Sequence, residues 1–387
     1  MIAGEDLHCQ QASGREQYRV THTHRTVTDS CCSLHSNRTG RFVRTKAAFY
    51  ISTAKMRGYS EQPISVASQT QERHVWDSVK KAAFILGSGL FVFAAFRNTV
   101  TWYLQLFWGA SGDFWQSQWV KAHGFFQGNE WVLFFLGTMV IPTLSFWIVN
   151  GLLLIVDATG KPQLITRYRI QRGRNDPVEP AKLQQAIRTV LFNQFFLSLP
   201  MVMVMYPIMK WRGNPCGTEL PTFHWVLLEL CFLGLLEEIF FYYSHRLFHH
   251  PVLYKYIHKK HHEWTAPIGV VSLYCHPVEH VMSNMLPPMV GPIFLRSHVA
   301  TTMLWFSLAL LLSTISHCGY HLPLLPSPEF HDFHHLKFNQ CYGVLGVLDR
   351  LHQTDIIFRE TKAYERHTLL LSLTPLSESI PDSLKRK

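Results

Sequence analysis

The chain has 387 residues, of which 47% are hydrophobic and only 16% are charged, a balance that argues against an ordinary soluble protein. Its formal net charge of +10 is carried in short basic loops between apolar runs, so membrane orientation explains the charge better than nucleic-acid binding, and we expect no nucleic-acid partner. The eight cysteines include no Cys-x-x-Cys pair, which argues against a disulfide framework or a thiolate zinc site.

The first 75 residues are polar and rich in Ser, Thr, His, Arg and Gln. Because the segment starts without an apolar stretch, it does not resemble a secretory signal. We predict that residues 1–75 form a disordered leader. Residues 76–189 are then expected to hold the first membrane helices and a basic cytosolic loop.

Five apolar stretches follow, and a helical crossing of a bilayer needs about 20 apolar residues. They lie at 82–96, 131–156, 190–209, 225–243 and 278–315. The last stretch holds two apolar pieces separated by Pro292, Arg296 and His298, so it is expected to form a hairpin. The sequence therefore predicts an all-α integral membrane protein with about four transmembrane helices plus an apolar hairpin.

The basic residues fix the expected orientation of these helices. The loop at 157–188 carries seven Lys or Arg residues, so the positive-inside rule places it in the cytosol. Counting crossings from there brings the ends of the fourth and fifth stretches back to the same side. A cytosolic helical cap is therefore expected to gather residues that are up to 90 positions apart in the chain.

Histidine is concentrated in this predicted cap, where 14 of the 23 histidines lie between His245 and His335. Helical residues three and four positions apart share a face, so each cluster is expected to act as a clamp of two or three imidazoles. Because imidazole binds iron, copper and zinc and there are more ligands than one ion uses, we predict two metal ions. The expected ligands are His245, His249, His258, His261, His262, His317, His321, His331, His334 and His335.

The roles of five further residues stay open at this stage. His250 falls one position past the shared face of its cluster, and His276 and His280 could be ligands, outer hydrogen-bond donors or substrate-facing residues. Glu238 and Asp332 could each orient the second ring nitrogen of a ligand. Solvation of Asp332 and helix capping or interfacial placement of Glu238 are the equally weighted alternatives.

The ordered clusters at 245–250, 258–262 and 331–335, joined to apolar hairpins, resemble those of the fatty acid hydroxylase and sterol desaturase superfamily of membrane oxygenases. The resemblance covers about 190–360, which we take as the catalytic domain, and leaves 361–387 as a loose C-terminal tail. Ser316 to Tyr320 and Asn339 to Gly343 look most similar to the branch of 4-methyl sterol oxidases. In that branch an aspartate commonly stands where this chain has His321.

This resemblance implies two iron ions, dioxygen as the oxidant, and electrons from NAD(P)H through a separate reductase or a membrane b-type cytochrome. It also implies a sterol or fatty-acyl lipid as substrate and the endoplasmic reticulum membrane as the location, with the metal site facing the cytosol. The first hypothesis is hydroxylation of a sterol methyl group. A sterol desaturase or a fatty-acyl hydroxylase is the nearest alternative, followed by a metal transporter and by a catalytically silent membrane scaffold.

Overall fold

The computed structural model describes residues 64–382 and divides the chain into one unit that ends at Ala83 and a second that starts at Phe84. Within 64–382 the chain is helical and contains no strand; an isolated bridge joins Arg169 and Tyr320. The all-α prediction is confirmed. Most of the predicted leader at 1–75 lies outside the described residues, and residues 64–75 belong to the first helix.

Seven helices build the framework, and we number them α1 to α7. They are α1 (Ile64–Phe125), α2 (Glu130–Thr159), α3 (Pro180–Arg212), α4 (Phe223–Phe248), α5 (277–295), α6 (Val299–His317) and α7 (Glu329–Lys337). Wider π-helical turns interrupt three of them at Leu136–Val140, Asn193–Ser198 and His280–Met285. Short α-helices occupy Gln163–Thr166, Pro251–Tyr254, Val347–His352, Ile356–Arg359, Lys362–Arg366 and Leu376–Ser379, and 3-10 helices occupy His258–Glu263 and Gly269–Leu273.

Among residues 64–382, four helical segments are long and apolar enough to cross a membrane: Val79–Arg97, Glu130–Thr159, Pro180–Arg212 and Val299–His317. The predicted number of about four transmembrane helices is confirmed, although the four segments include Val299–His317 and leave out the predicted stretch at 225–243. The predicted stretch at 225–243 lies in α4, whose three glutamates, Glu229, Glu237 and Glu238, lower its hydropathy. The apolar hairpin is present as α5 and α6, joined by a turn in which Arg296 adopts a left-handed backbone with φ of 58°.

A buried apolar core supports the segment of two 3-10 helices that carries the second histidine cluster. Phe146 of α2 and Val190 of α3 pack there against Trp264 and Ile268, which are all almost inaccessible to solvent. The Nδ2 atom of Asn193 donates to the backbone carbonyls at 273 and 275 at 3.0 and 3.2 Å. Because a buried carbonyl without a partner is costly, this amide fixes an irregular backbone between the helices.

The C-terminal segment is docked rather than loose as far as residue 382. Tyr168 donates its hydroxyl to the carbonyl of Leu373 at 2.7 Å, and Arg366 contacts Asp382 at 2.9 Å and Glu329 of α7 at 3.3 Å. The described part of the predicted tail at 361–387 therefore contacts the rest of the protein. These contacts brace α7, which carries the last histidine cluster.

Candidate metal centre

Nine buried or half-buried histidines come together in two adjacent groups, within each of which the candidate ligand atoms all lie within 4.8 Å of one another. The five-histidine group consists of His245, His249, His258, His262 and His334. The four-histidine group consists of His261, His317, His331 and His335. The structure thus brings together nine of the ten predicted ligands, and His321 lies apart.

The second cluster at 258–262 and the third cluster at 331–335 each contribute histidines to both groups. On α7, His331 and His335 are one turn apart and belong to the same group. His334 is adjacent to His335 and therefore points about 100° away around the helix, into the other group. His258 and His262 likewise share a group while His261 joins the other, although this segment is a 3-10 helix. The prediction that each cluster acts as a single clamp is therefore wrong for these two clusters, since each one bridges both groups.

Hydrogen bonds on the outer side of the rings fix the protonation of the inner nitrogens. The Nδ1 atoms of His245, His261 and His317 lie 2.7, 3.0 and 2.8 Å from the backbone carbonyls of Tyr342, Tyr274 and Ser313. The Nδ1 atoms of His334 and His335 contact the carbonyls of Gln340 and Trp264 in the same way. Because a carbonyl can only accept, each of these Nδ1 atoms carries the proton, and each neutral ring presents a lone pair at Nε2.

These Nε2 lone pairs face one another at short range. His245 and His258 approach with 3.0 Å between their Nε2 atoms, and His261 and His317 with 3.3 Å. His258 also turns its Nδ1 outward, where it lies 2.8 Å from Oε1 of Glu279 in a close contact that is not aligned as a hydrogen bond. Nε2 of His335 is buried and has no hydrogen-bond partner among residues 64–382. Facing lone pairs repel unless a cation lies between them, so these residues fit two metal ions.

Burial keeps the imidazoles in the neutral form that binds metal. Desolvation lowers the pKa of His261 to about 4. Desolvation, followed by the charges of neighbouring histidines, also holds the pKa of His334 and His335 well below the usual value. The rings are therefore unprotonated at neutral pH and need lose no proton to receive a cation.

Glu238 supports the five-histidine group through a loop rather than by touching a ligand. Its carboxylate accepts the backbone N–H groups of Val344, Leu345 and Leu348 at 2.8, 2.7 and 3.0 Å. A Cβ at Gly343 would lie 2.7 Å from Oε1 of Glu238, so only glycine fits this close approach. The same loop carries the carbonyl that binds Nδ1 of His245.

The second predicted carboxylate, Asp332, also lacks contact with a ligand ring. Its oxygens accept from Nε2 of Gln171 at 3.1 and 3.2 Å on the outer face of α7. Neither Glu238 nor Asp332 therefore orients a ring nitrogen directly, and the solvation proposed for Asp332 is also wrong because the side chain is buried.

His321 misses the site because α6 ends at His317 and Gly319 turns the chain with φ of 72°, so the helical spacing of four does not apply. Its Nε2 instead lies 2.9 Å from the carbonyl of Thr368, and its Nδ1 lies 3.7 Å from Glu329. This placement is the physical reason for leaving His321 out of both groups.

The remaining predicted histidines have other partners. His250 and His276 each precede a proline and cap a short helix, their Nδ1 atoms accepting the backbone N–H two residues on. His280 borders a cavity and has its Nε2 2.8 Å from Oγ of Ser198. The sequence analysis named His276 and His280 but missed Glu279 between them. The signal that could have found Glu279 is its position directly before His280.

An apolar cavity of about 500 Å³ opens beside the four-histidine group. Its wall includes Met139, Val202, Met289, Phe306 and Leu310, and it reaches His317 and His331. Glu237, Gln194 and Asn284 add a few polar groups to the wall. A concave, mostly apolar pocket with sparse polar groups is typical of a site for a small lipophilic molecule.

Fold and site together define a multi-pass helical membrane protein with a histidine-rich centre suited to two metal ions. Comparison with known proteins agrees: the family model for fatty acid hydroxylases matches residues 230–354. Proteins described as fatty acid hydroxylase domain-containing protein 2, from Macaca fascicularis and Homo sapiens, are each 65% identical over 331 residues, which cover 86% of this chain and 99% of theirs. The chain belongs to the fatty acid hydroxylase family.

More distant relatives carry more specific names. Fatty acid hydroxylase ahd1 of Mycosarcoma maydis is 38% identical over 223 residues, 57% of this chain and 58% of that protein. Methylsterol monooxygenase 2-2 of Arabidopsis thaliana is 31% identical over 215 residues, 52% of this chain and 79% of that protein. No solved structure matches the chain. The resemblance inferred from the histidine clusters is confirmed at the level of the superfamily.

Proposed function

We propose that the protein is a membrane di-iron monooxygenase that uses dioxygen to oxidise a C–H bond of a lipid. The observation that carries this proposal is the contact between the apolar cavity and the four-histidine group, through His317 and His331. Bound iron would supply the oxidising power that an unactivated C–H bond requires. The chain itself supplies the ligands, the substrate cavity and the exclusion of water.

The two histidine groups have different tasks in this proposal. The four-histidine group borders the cavity through His317 and His331, so an ion held there would be the one that meets the substrate. The side chains of Phe306 and Leu310 line the same cavity and would keep water away from the reacting carbon. The five-histidine group accordingly holds the ion that does not meet the substrate.

The favoured reaction is hydroxylation of a sterol methyl group. It is supported by the similarity to the Arabidopsis methylsterol monooxygenase and by the stretches from Ser316 to Tyr320 and from Asn339 to Gly343. Fatty-acyl hydroxylation is the second candidate, because the Mycosarcoma protein named a fatty acid hydroxylase has the higher identity of the two. Both substrates present an apolar body that suits the cavity.

Electrons must reach the centre from another protein in this proposal. The sequence contains no dinucleotide-binding fingerprint, so a separate reductase or a membrane b-type cytochrome would pass on electrons from NAD(P)H. The basic loop at 157–188 supports a cytosolic position of the centre in the endoplasmic reticulum membrane, and its charges suit an acidic donor.

Lipid profiling of cells that lack the protein, with and without its restoration, tests the proposal. We expect 4-methyl sterols to accumulate in its absence and to return to normal with the wild-type protein but not with His335→Ala. His224→Ala, in an exposed histidine of α4 away from both groups, is the matched control and should restore the profile. Missing 2-hydroxy acyl lipids would favour the second candidate. Unchanged lipids, with wild-type protein that binds metal, would contradict an enzymatic role and favour the scaffold.

A further inference from the structure

We propose that Glu279 is a positioning residue that strengthens metal binding by the five-histidine group and makes the two ion positions unequal. This inference rests on the proposed metal centre. Glu279 lies in the first turn of α5, is 3% exposed, and has Oε1 2.8 Å from Nδ1 of His258.

Glu279 is the only carboxylate on the outer side of these rings among the described residues. The corresponding Nδ1 contacts of His245, His261, His317, His334 and His335 are all to neutral backbone carbonyls. The negative charge of a carboxylate 2.8 Å from Nδ1 attracts the proton on that nitrogen more strongly than a neutral carbonyl does, and so makes the opposite ring nitrogen a better donor to metal. His258 belongs to the five-histidine group, so this gain falls on one ion position.

The burial of Glu279 is costly without a nearby cation. Its second oxygen, Oε2, has no hydrogen-bond partner among residues 64–382 and is shielded from solvent. An ionised carboxylate in such a place is destabilising unless positive charge compensates it. The N-terminus of α5 and the positive charge of Lys260 offer part of this compensation, and an ion held on the far side of the His258 ring would add to it.

Behind the rings of the four-histidine group lie the carbonyls of Tyr274, Ser313 and Trp264 and the hydroxyl of Ser316, with no carboxylate in contact among residues 64–382. Its ion is therefore expected to be bound more weakly and to be the stronger electron acceptor. This difference matches the cavity, which adjoins the four-histidine group. Glu279 thus strengthens binding of the ion at the five-histidine group, while the ion at the four-histidine group, beside the cavity, stays electron-poor.

The test is metal titration of the purified, metal-stripped full-length protein with cobalt(II), followed by optical spectroscopy of the bound ions. Glu279→Gln should weaken one of the two ions by roughly 10- to 100-fold, the usual effect of losing an outer partner of a ligand, and should change the spectrum of that ion alone. Glu229→Gln is the matched control, because Glu229 is also buried in a helix and contacts neither group. It should leave both affinities and the spectrum unchanged.

A combined variant separates positioning from a merely structural role. In a His258→Ala background, Glu279→Gln should cause no further loss of affinity, because the ring through which Glu279 acts is gone. Equal weakening of both ions, unchanged affinities in Glu279→Gln, or a further loss in the combined variant would each overturn the inference.

Glu279→Asp decides the matter if Glu279→Gln does not fold. Aspartate keeps the charge but withdraws it by one methylene, so weakening of a single ion supports the inference, while no change or equal weakening rejects it. Wild-type protein that binds no metal would instead contradict the proposed function itself.

Discussion

His245 directs its Nδ1 to the carbonyl of Tyr342 at 2.7 Å, which ties the last turn of α4 to a loop almost 100 positions later in the chain. The loop is held in turn by Glu238, two turns before His245 on the same helix. The orientation of a candidate metal ligand therefore depends on a carboxylate that does not contact it.

Replacing Glu238 by Leu is expected to destabilise the protein by about 3 kcal/mol, because three backbone N–H groups lose a charged acceptor in a buried place. Metal should also be released more readily, since the loop orients His245. Thermal unfolding in detergent and metal analysis measure the two effects. Glu237→Gln is the control, because the neighbouring side chain makes no hydrogen bond to this loop; a Glu238→Leu protein as stable as that control would refute the prediction.

The nine-histidine site predicts which pairs of substitutions remove metal. His261→Ala with His262→Ala takes one ligand from each group, so both ions should be lost, as measured by elemental analysis of purified protein. His250→Ala with His276→Ala removes two histidines from neighbouring segments that only cap short helices, and should retain both ions. Full retention of iron in the first pair would contradict the assignment.

The behaviour of His321 distinguishes geometry from sequence spacing. His321→Ala should keep a normal metal content, because the ring binds the carbonyl of Thr368 instead of an ion. Its loss should show as a lower unfolding temperature, since the contact ties the chain after α6 to the C-terminal segment. His317→Ala is the comparison and should lose an ion. Loss of an ion from His321→Ala as well would show that His321 is a ligand, as the spacing of four predicts, and would contradict the turn at Gly319.

The candidate ligands can be named from the sequence, whereas their division into two groups cannot. The spacing of four predicts that 331 and 335 point together, and it does so because α7 is a regular helix. The same rule fails at His321 because the chain leaves the helix at His317 before the fourth residue is reached. Helical periodicity applies only inside a helix, and the residue at which a helix ends is set by tertiary contacts.

The contacts made by Glu279 and Glu238 could not be predicted from the sequence, for a different reason. Glu279 reaches His258 across 21 positions and Glu238 reaches the loop across more than 100, so no local pattern relates the partners. The membrane helices, in contrast, are visible in composition, because their lengths and hydropathy are local properties. In α4, Glu229, Glu237 and Glu238 lower the hydropathy of a stretch that is otherwise apolar.

Acid should destabilise the metal-free protein. The pKa of His261 falls from 6.5 to about 4 on burial, so the folded state binds fewer protons than the unfolded state between these values. The stability that the neutral ring preserves is fully present above the unfolded pKa and is lost as the pH falls toward 4, at about 1.4 kcal/mol per pH unit. Unfolding measured at pH 7 and pH 5 checks this, and His261→Gln should reduce the difference; equal stability at both pH values would contradict it.

Filling the cavity should stop turnover without disturbing the metal centre. Ala309 of α6 lines the cavity beside Leu310, and a phenylalanine there would occupy space that the lipid needs. Ala309→Phe is therefore expected to lower product formation by more than about tenfold, since overpacking costs free energy whenever substrate enters, while both ions stay bound. Ala110→Phe, on an exposed face of α1, adds the same ring away from the cavity and should leave turnover unchanged. Normal turnover in Ala309→Phe would show that the substrate reaches the four-histidine group by another route.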